Sequence, residues 1–420
     1  MQRTIDTYKL IEEAEKELSS AFANQEAIAF NNQKRVLQAF ANNRLSEEFF
    51  AEKTGYGLND TARDVIDAIF AESFGAEAAA VRMQMVSGTH ALACALFGNL
   101  KPGNRLACLT GAPYDTLQEV IGYAVEAQGS LKSLGVGYIE GNAVFSPDVD
   151  SELARLLQKP TTMAYIQKSC GYDFERKSLS NSEIAQLVKR IRAINPDCLV
   201  LVDNCYGEFV EDSEPTSCGA DLMAGSLIKN PGGGLALTGG YVAGNRNAVE
   251  GALNRLTAPG IGGHLGLTYN QNRHILQGLF TAPSVVASAV KGAQLVSHVL
   301  GSLGLEVFPK PLDERFDIIQ GIKFGKSQYL INFCRALQRF SPVNAHVNPE
   351  PAEMPGYQHK VVMAGGTFIA GSTIELSCDG PLREPYAGYL QGGLTYLHVK
   401  CALSGAINLA LSGELPFFDV

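Results

Sequence analysis

From about residue 61 onward, short apolar runs alternate with segments of helical spacing, and this alternation narrows the fold more than any other feature of the chain. Residues 79–86, 106–109, 163–167, 198–202, 222–228 and 240–244 read as strands, and 63–74, 91–97 and 182–193 as helices. The run at 198–202 is apolar at successive positions, as a strand covered on both faces must be. The pattern predicts an α/β fold with a largely parallel sheet covered by helices.

Both ends of the chain depart from that rhythm. Residues 1 to about 50 are rich in Glu, Ala, Leu and Lys and read as helical, with Ile11, Ala14 and Leu18 on one face. A Val- and Ala-rich helix is expected over 283–300. Beyond it, 359–364, 367–370 and 372–377 read as strands, with Gly365-Gly366 as a hairpin turn. The expected organisation is an N-terminal helical segment (1–55), a large domain (56–305) and a smaller α+β domain (306–420). A chain of 420 residues with 46% hydrophobic residues is long and apolar enough for two cores. A net charge of -9 gives no electrostatic footprint for nucleic acid, so a small-molecule partner is expected. No Cys-x-x-Cys occurs among the nine cysteines, and the seven histidines are scattered, so buried reduced thiols and no metal are expected. The polar stretch from Met1 to Lys9 and the lack of an uninterrupted apolar run long enough for a bilayer point to a cytoplasmic protein.

Chemistry concentrates between Val200 and Gly240. An apolar strand ends in Asp203, and a single lysine, Lys229, lies between it and Gly240. A carboxylate can keep a pyridine nitrogen protonated, so that the ring accepts electrons. A lysine can form a Schiff base with an aldehyde and later move a proton, best with a desolvated amine of lowered pKa. A surface lysine and a strand-ending aspartate would give the same pattern. Ser87, Gly88 and Thr89, between a strand and a helix, can offer backbone N–H groups and hydroxyls to a phosphate, or simply cap the helix. Ser226 adds a hydroxyl three residues before Lys229. Tyr114 can stack on a ring or lie buried beside a turn. Arg383 can grip a carboxylate or pair with Glu384. The glycines at 232–234 lack the Gly-Lys-Ser/Thr ending of a phosphate loop.

Taken in order, these residues resemble the cystathionine lyase and synthase group of pyridoxal-phosphate enzymes. Val202-Asp203-Asn204 resembles that group's Val-Asp-Asn segment, Ser226-Leu227-Ile228-Lys229 its Ser-x-Thr-Lys segment, Ser87-Gly88 its phosphate turn and Tyr114 its stacking tyrosine. The methionine gamma-lyase-like, or aluminium-resistance, branch resembles the chain more fully, from Gly55 to Gly393. The resemblance implies a fold type I architecture with a seven-stranded sheet, pyridoxal 5'-phosphate on Lys229, and β- or γ-elimination from an L-amino acid. It also implies a homotetramer or homodimer with a shared active site. Asp203 would pair with the ring nitrogen, Tyr114 would serve as a possible acid, Arg383 would bind the substrate carboxylate, and Tyr56 would reach the phosphate from the neighbouring subunit. An aldolase or transferase on the same fold, or a non-catalytic cofactor-binding protein, are the alternatives. The chain departs from the group at Leu58, where the group has arginine, and at Ile228, where it has threonine. Lys168 or Arg176 would then supply the missing positive charge.

Overall fold

The computed structural model describes residues 6–124, 127–174, 176–354 and 357–419. The large sheet is built from β1 (Ala78–Arg82), β2 (Arg105–Cys108), β3 (Gly137–Glu140), β4 (Thr161–Gln167), β5 (Leu199–Asp203), β6 (Leu222–Ser226) and β7 (Gly240–Gly244). Its order is β1-β7-β6-β5-β4-β2-β3. The pairs from β3 through β6 are parallel, and β7 runs antiparallel to both β6 and β1. Every residue of β6 and β7 is buried, which explains their lack of polar alternation.

The helices are α1 (Thr7–Glu17), α2 (Ser19–Asn42), α3 (Thr61–Ser73), α4 (Gly88–Asn99), α5 (Asp115–Ile121), α6 (Val149–Leu156), α7 (Asn181–Ile194), α8 (Arg246–Leu256), α9 (Asn272–Ser302), α10 (Ser327–Gln338) and α11 (Tyr396–Leu411). Their starts are written locally. Asp60 caps α3, Ser87 caps α4, Thr395 caps α11, and Ser180 with Glu183 forms a reciprocal capping box on α7. Helix α4 is pressed onto α8 where Gly98 meets Gly251. A Cβ on Gly98 would lie 2.3 Å from the Gly251 carbonyl oxygen, so only glycine permits this approach.

A second sheet, of order β10-β11-β12-β9-β8, is formed by β8 (Glu306–Phe308), β9 (Gln320–Lys323), β10 (Val361–Ala364), β11 (Ser377–Pro381) and β12 (Ala387–Gln391). Its core includes Leu330, Phe333, Leu376 and Ile407 and also Ile11 and Ala14, so α1 packs with this region. Helix α2 instead packs along α9, and Asn32 donates to the Phe209 and Glu211 carbonyls of the large region.

Two expectations are corrected. The helix expected over 283–300 begins at Asn272 and carries Pro283 inside it. Burial of Ile275, Leu276 and Leu279 against the large core carries the helix across the proline. By length and composition α9 could cross a membrane, but it is not an uninterrupted apolar run, and 61% of its most apolar stretch is buried inside the protein. Gly365-Gly366 does not make a hairpin, because β10 pairs with β11 and residues 365–376 form a loop between them. There the buried Glu375 carboxylate accepts the Phe368 and Ile369 N–H groups, at 2.8 and 2.9 Å, in place of a strand partner. Among the cysteines, Cys401 is exposed and Cys218 half-buried, and the other seven are buried as expected.

Phe74 sits between Phe70, Phe209 and Tyr241, with ring centroids 5.1 to 5.6 Å apart. The Tyr241 hydroxyl donates to Glu208 Oε1 at 2.7 Å, and among the described residues no side-chain donor reaches Glu208 Oε2. Burial pushes the Glu208 carboxyl up to about 8, against the pull of that hydrogen bond.

Glu375→Ala should lower stability by about 2 kcal/mol in urea unfolding, since the buried Ile369 N–H and the part-buried Phe368 N–H lose a charged acceptor. Glu208 gives a pH signature. Its folded pKa lies above its unfolded value, so its contribution is whole below about 4.5 and is lost as pH rises toward about 8. The slope is about −1.4 kcal/mol per pH unit. Glu208→Gln should flatten that part of the stability–pH curve, measured by urea unfolding across the range.

Candidate active site

The parallel strands end along one edge of the sheet, where open α/β sheets gather their ligands. Gln167 closes β4, Asp203 closes β5 and Ser226 closes β6. The turns after β1 and β2 deliver Ser87 and Tyr114 to the same edge. All five line one cavity of about 410 Å³, with Lys229 on its wall.

Each side chain is held by identifiable neighbours. Asp203 is buried, and its carboxylate accepts the Tyr165 hydroxyl at 3.0 Å and the Cys205 N–H at 3.1 Å. Burial raises its pKa, opposed by the charge of Lys229 and by those two bonds. Lys229 follows β6 in a turn, and its Nζ lies 3.8 Å from the centroid of the Tyr206 ring. Burial works against its charged form. The field of Asp203, with Cys205, Tyr206 and Tyr114 close by, outweighs that, so the ammonium is held above its ordinary pKa. The lowered pKa that favours proton transfer is therefore not produced by these groups alone.

Ser87 is the N-cap of α4, accepting the His90 N–H at 3.1 Å, and the Gly88 and Thr89 amides lie in the free first turn behind it. Gly88 is pressed close. A Cβ there would lie 3.3 Å from both Cys205 Sγ and Ser226 Cβ, so the helix start and the end of β6 form one cup. The Thr89 hydroxyl meets the Tyr114 hydroxyl at 3.0 Å, and the Tyr114 N–H donates to Gln167 Oε1 at 3.2 Å. Burial, with Asp203 nearby, pushes the Tyr114 phenol well up, which keeps it protonated.

The structure does not bring every expected residue here. Lys168 is fully buried elsewhere, with its Nζ 2.7 Å from Asn181 Oδ1 and 2.6 Å from Glu211 Oε2. It lacks contact with the cavity because a buried ammonium must keep its anion. Arg176 donates to the Gln167 carbonyl at 3.3 Å and does not line the cavity. Tyr56 is 76% exposed and lies outside this chain's cavity. Arg383 lies in an adjoining cleft of about 130 Å³ that shares Tyr172 and Tyr357 with the main cavity, and its Nη2 donates to the Tyr172 carbonyl at 3.3 Å. Cavity residues not singled out from sequence include Gln167, Tyr172, Cys205, Tyr206, Thr238 and Tyr357. Cys205 and Tyr206 follow directly on the strand-ending aspartate, which was the available signal. Tyr357 had none. Among the described residues, no group of three or more His, Cys, Asp or Glu is placed to hold a metal.

The cavity thus gathers a carboxylate, an amine and a free helix N-terminus. The sequence pattern of the family Methionine gamma-lyase matches residues 7–411. Bacillus subtilis YnbB is 45% identical over 405 residues, 96% of each chain. A candidate cystathionine beta-lyase involved in aluminum resistance from Listeria innocua is 45% identical, with TM-score 0.93 over 96% of this chain and 99% of that one. A carbon-sulfur lyase involved in aluminum resistance from Clostridium novyi NT is 44% identical, with TM-score 0.91 over 96% and 95%. At 18% identity and TM-score 0.61, the pyridoxal-5'-phosphate dependent protein YhfS from Escherichia coli shares the fold, covering 90% of this chain and 96% of its own. With a pattern that runs from α1 to the end of α11 and relatives of nearly full length, the chain belongs to the methionine gamma-lyase family.

Proposed function

We propose that this enzyme is a pyridoxal-phosphate-dependent carbon–sulfur lyase that eliminates a β- or γ-substituent from an L-amino acid, with Lys229 carrying the cofactor. The observation that supports it most is the composition of the cavity. Lys229 is the only basic residue lining it among the described residues, Asp203 is its buried carboxylate, and the cup of Ser87, Gly88, Thr89 and Ser226 offers amides and hydroxyls. That donor set fits an aldehyde, a ring nitrogen and a phosphate on one molecule. When bound, pyridoxal phosphate supplies the aldehyde that captures the substrate amine and the ring that draws electrons from Cα.

The chain's own residues do the rest. Asp203 holds a proton on the ring nitrogen. Lys229, once released, takes the α-proton onto Nζ. Tyr114, kept protonated by burial, has a hydrogen to give a departing sulfur. Arg383 receives the substrate carboxylate where the two clefts meet at Tyr172. Tyr56, exposed here, serves the phosphate end of a neighbouring copy, in a dimer or tetramer.

The purified protein should be yellow, lose its visible band on borohydride treatment and shift its spectrum with a sulfur-containing L-amino acid. Lys229→Ala should abolish turnover while leaving the circular dichroism spectrum intact. A protein that stays colourless after incubation with pyridoxal phosphate would sink this reading. Light scattering on the full chain should give a mass of two or four copies, and a monomer would remove the role given to Tyr56.

A further inference from the structure

Tyr206 stands out because its backbone is strained and its ring touches the lysine. Its φ is +74°, in the left-handed region that a bulky side chain seldom adopts. The strain is held in place by Asn230, next to Lys229, whose Nδ2 donates to the carbonyls of both Tyr206 and Glu208, at 3.0 and 2.9 Å. The Tyr206 side chain packs against the small cluster of Cys170, Ile319, Ala387 and Tyr389. The face of its ring lies under Lys229 Nζ at 3.8 Å from the centroid, well within the range at which an ammonium is attracted to an aromatic ring.

We propose that Tyr206 is a positioning residue for proton transfer, its ring being the berth that receives the Lys229 ammonium after the lysine leaves the cofactor. The inference rests on Lys229 being the cofactor-bearing lysine. In the step concerned, the Cα–H bond breaks, its electron pair stays on the substrate, and the proton forms a new N–H bond on the neutral Lys229 amine. The ring stabilises the ammonium so formed and not the amine before it, which makes Lys229 a stronger base. Other groups face the same nitrogen. Asp203 favours its charge, the Tyr206 hydroxyl also meets Lys229, and Asp379 contributes from β11, whereas Glu208, its carboxyl raised to about 8, is largely protonated at neutral pH. Cys205 and Tyr114 are kept protonated by burial, so they add little negative charge at neutral pH.

The test uses the full-length chain, stripped of cofactor and resupplied with pyridoxal phosphate. The pH dependence of the rate at which the visible band returns reports the pKa of the Lys229 amine. Tyr206→Phe keeps the ring and loses only the hydroxyl, and it should lower that pKa far less than Tyr206→Leu does. Tyr206→Leu should lower that pKa by about one unit, a tenfold change in proton affinity. It should also slow α-proton exchange of L-alanine in D2O about tenfold. Alanine has no leaving group, so this readout does not depend on elimination. Pentafluorophenylalanine at 206 keeps the shape and reverses the charge on the ring face. It should behave as leucine does, and it stands in for leucine if Tyr206→Leu does not fold. An unchanged pKa in the leucine or fluorinated protein overturns the proposal while the cofactor reading stands. Failure of the unsubstituted protein to form the band overturns both.

Discussion

Asp203 and Lys229 carry opposite charges at the end of a sheet whose central strands are buried on both faces, and the surroundings are built to tolerate this. Taking a carboxylate and an ammonium out of water is expensive unless hydrogen bonds and an opposite charge replace the solvent. Asp203 has the Tyr165 hydroxyl and the Cys205 amide, and Lys229 has the Tyr206 ring and the field of Asp203. The turn that carries these partners is fastened in its own right. Glu214 accepts the Phe209 N–H and the Asn204 amide, and Glu211 holds Lys168 and the start of α7. Much of the buried polar chemistry outside the cavity thus keeps the 203–214 segment in one shape.

How much of this could be read from sequence varies by element. The apolar run that became β5, the capping residues of α4 and α7, and the parallel core follow from local pattern, because burial on both faces and a free helix end each impose recognisable residues. Lys229 and Asp203 could be picked out because one closes a strand and the other is the single lysine in the following stretch. The left-handed conformation of Tyr206 could not, since it depends on Asn230 reaching across from the next turn. Lys168 was misjudged for a related reason. Its charge is visible in the sequence, whereas its partners Asn181 and Glu211 meet it only in the folded chain.

The loop at 365–376 shows how far tertiary context can override a turn signal. Two adjacent glycines between apolar stretches satisfy the local rules for a hairpin, yet the Glu375 carboxylate takes the N–H groups that a hairpin would have paired. The loop then crosses to the large sheet region, where the Ser372 hydroxyl donates to the Ile228 carbonyl at 3.0 Å, one residue before Lys229. Ala370 from the same loop reaches the cavity wall. The smaller sheet region is therefore in direct mechanical contact with the lysine turn, and rearrangement of one is felt by the other.

The packing of α1 bears on how the chain is made. The Thr7 hydroxyl donates to Asn408, 401 positions later, and Glu15 pairs with Lys400. Ile11 and Ala14 share a core with Ala406 and Ile407. During synthesis α1 emerges with an apolar face that one of its partners, α11, covers only much later. The large sheet can assemble in the interval, but the smaller core closes only when α1 and α11 meet. Translation that stops short of α11 leaves part of that face uncovered, so incomplete chains carry an exposed adhesive stripe that finished ones do not.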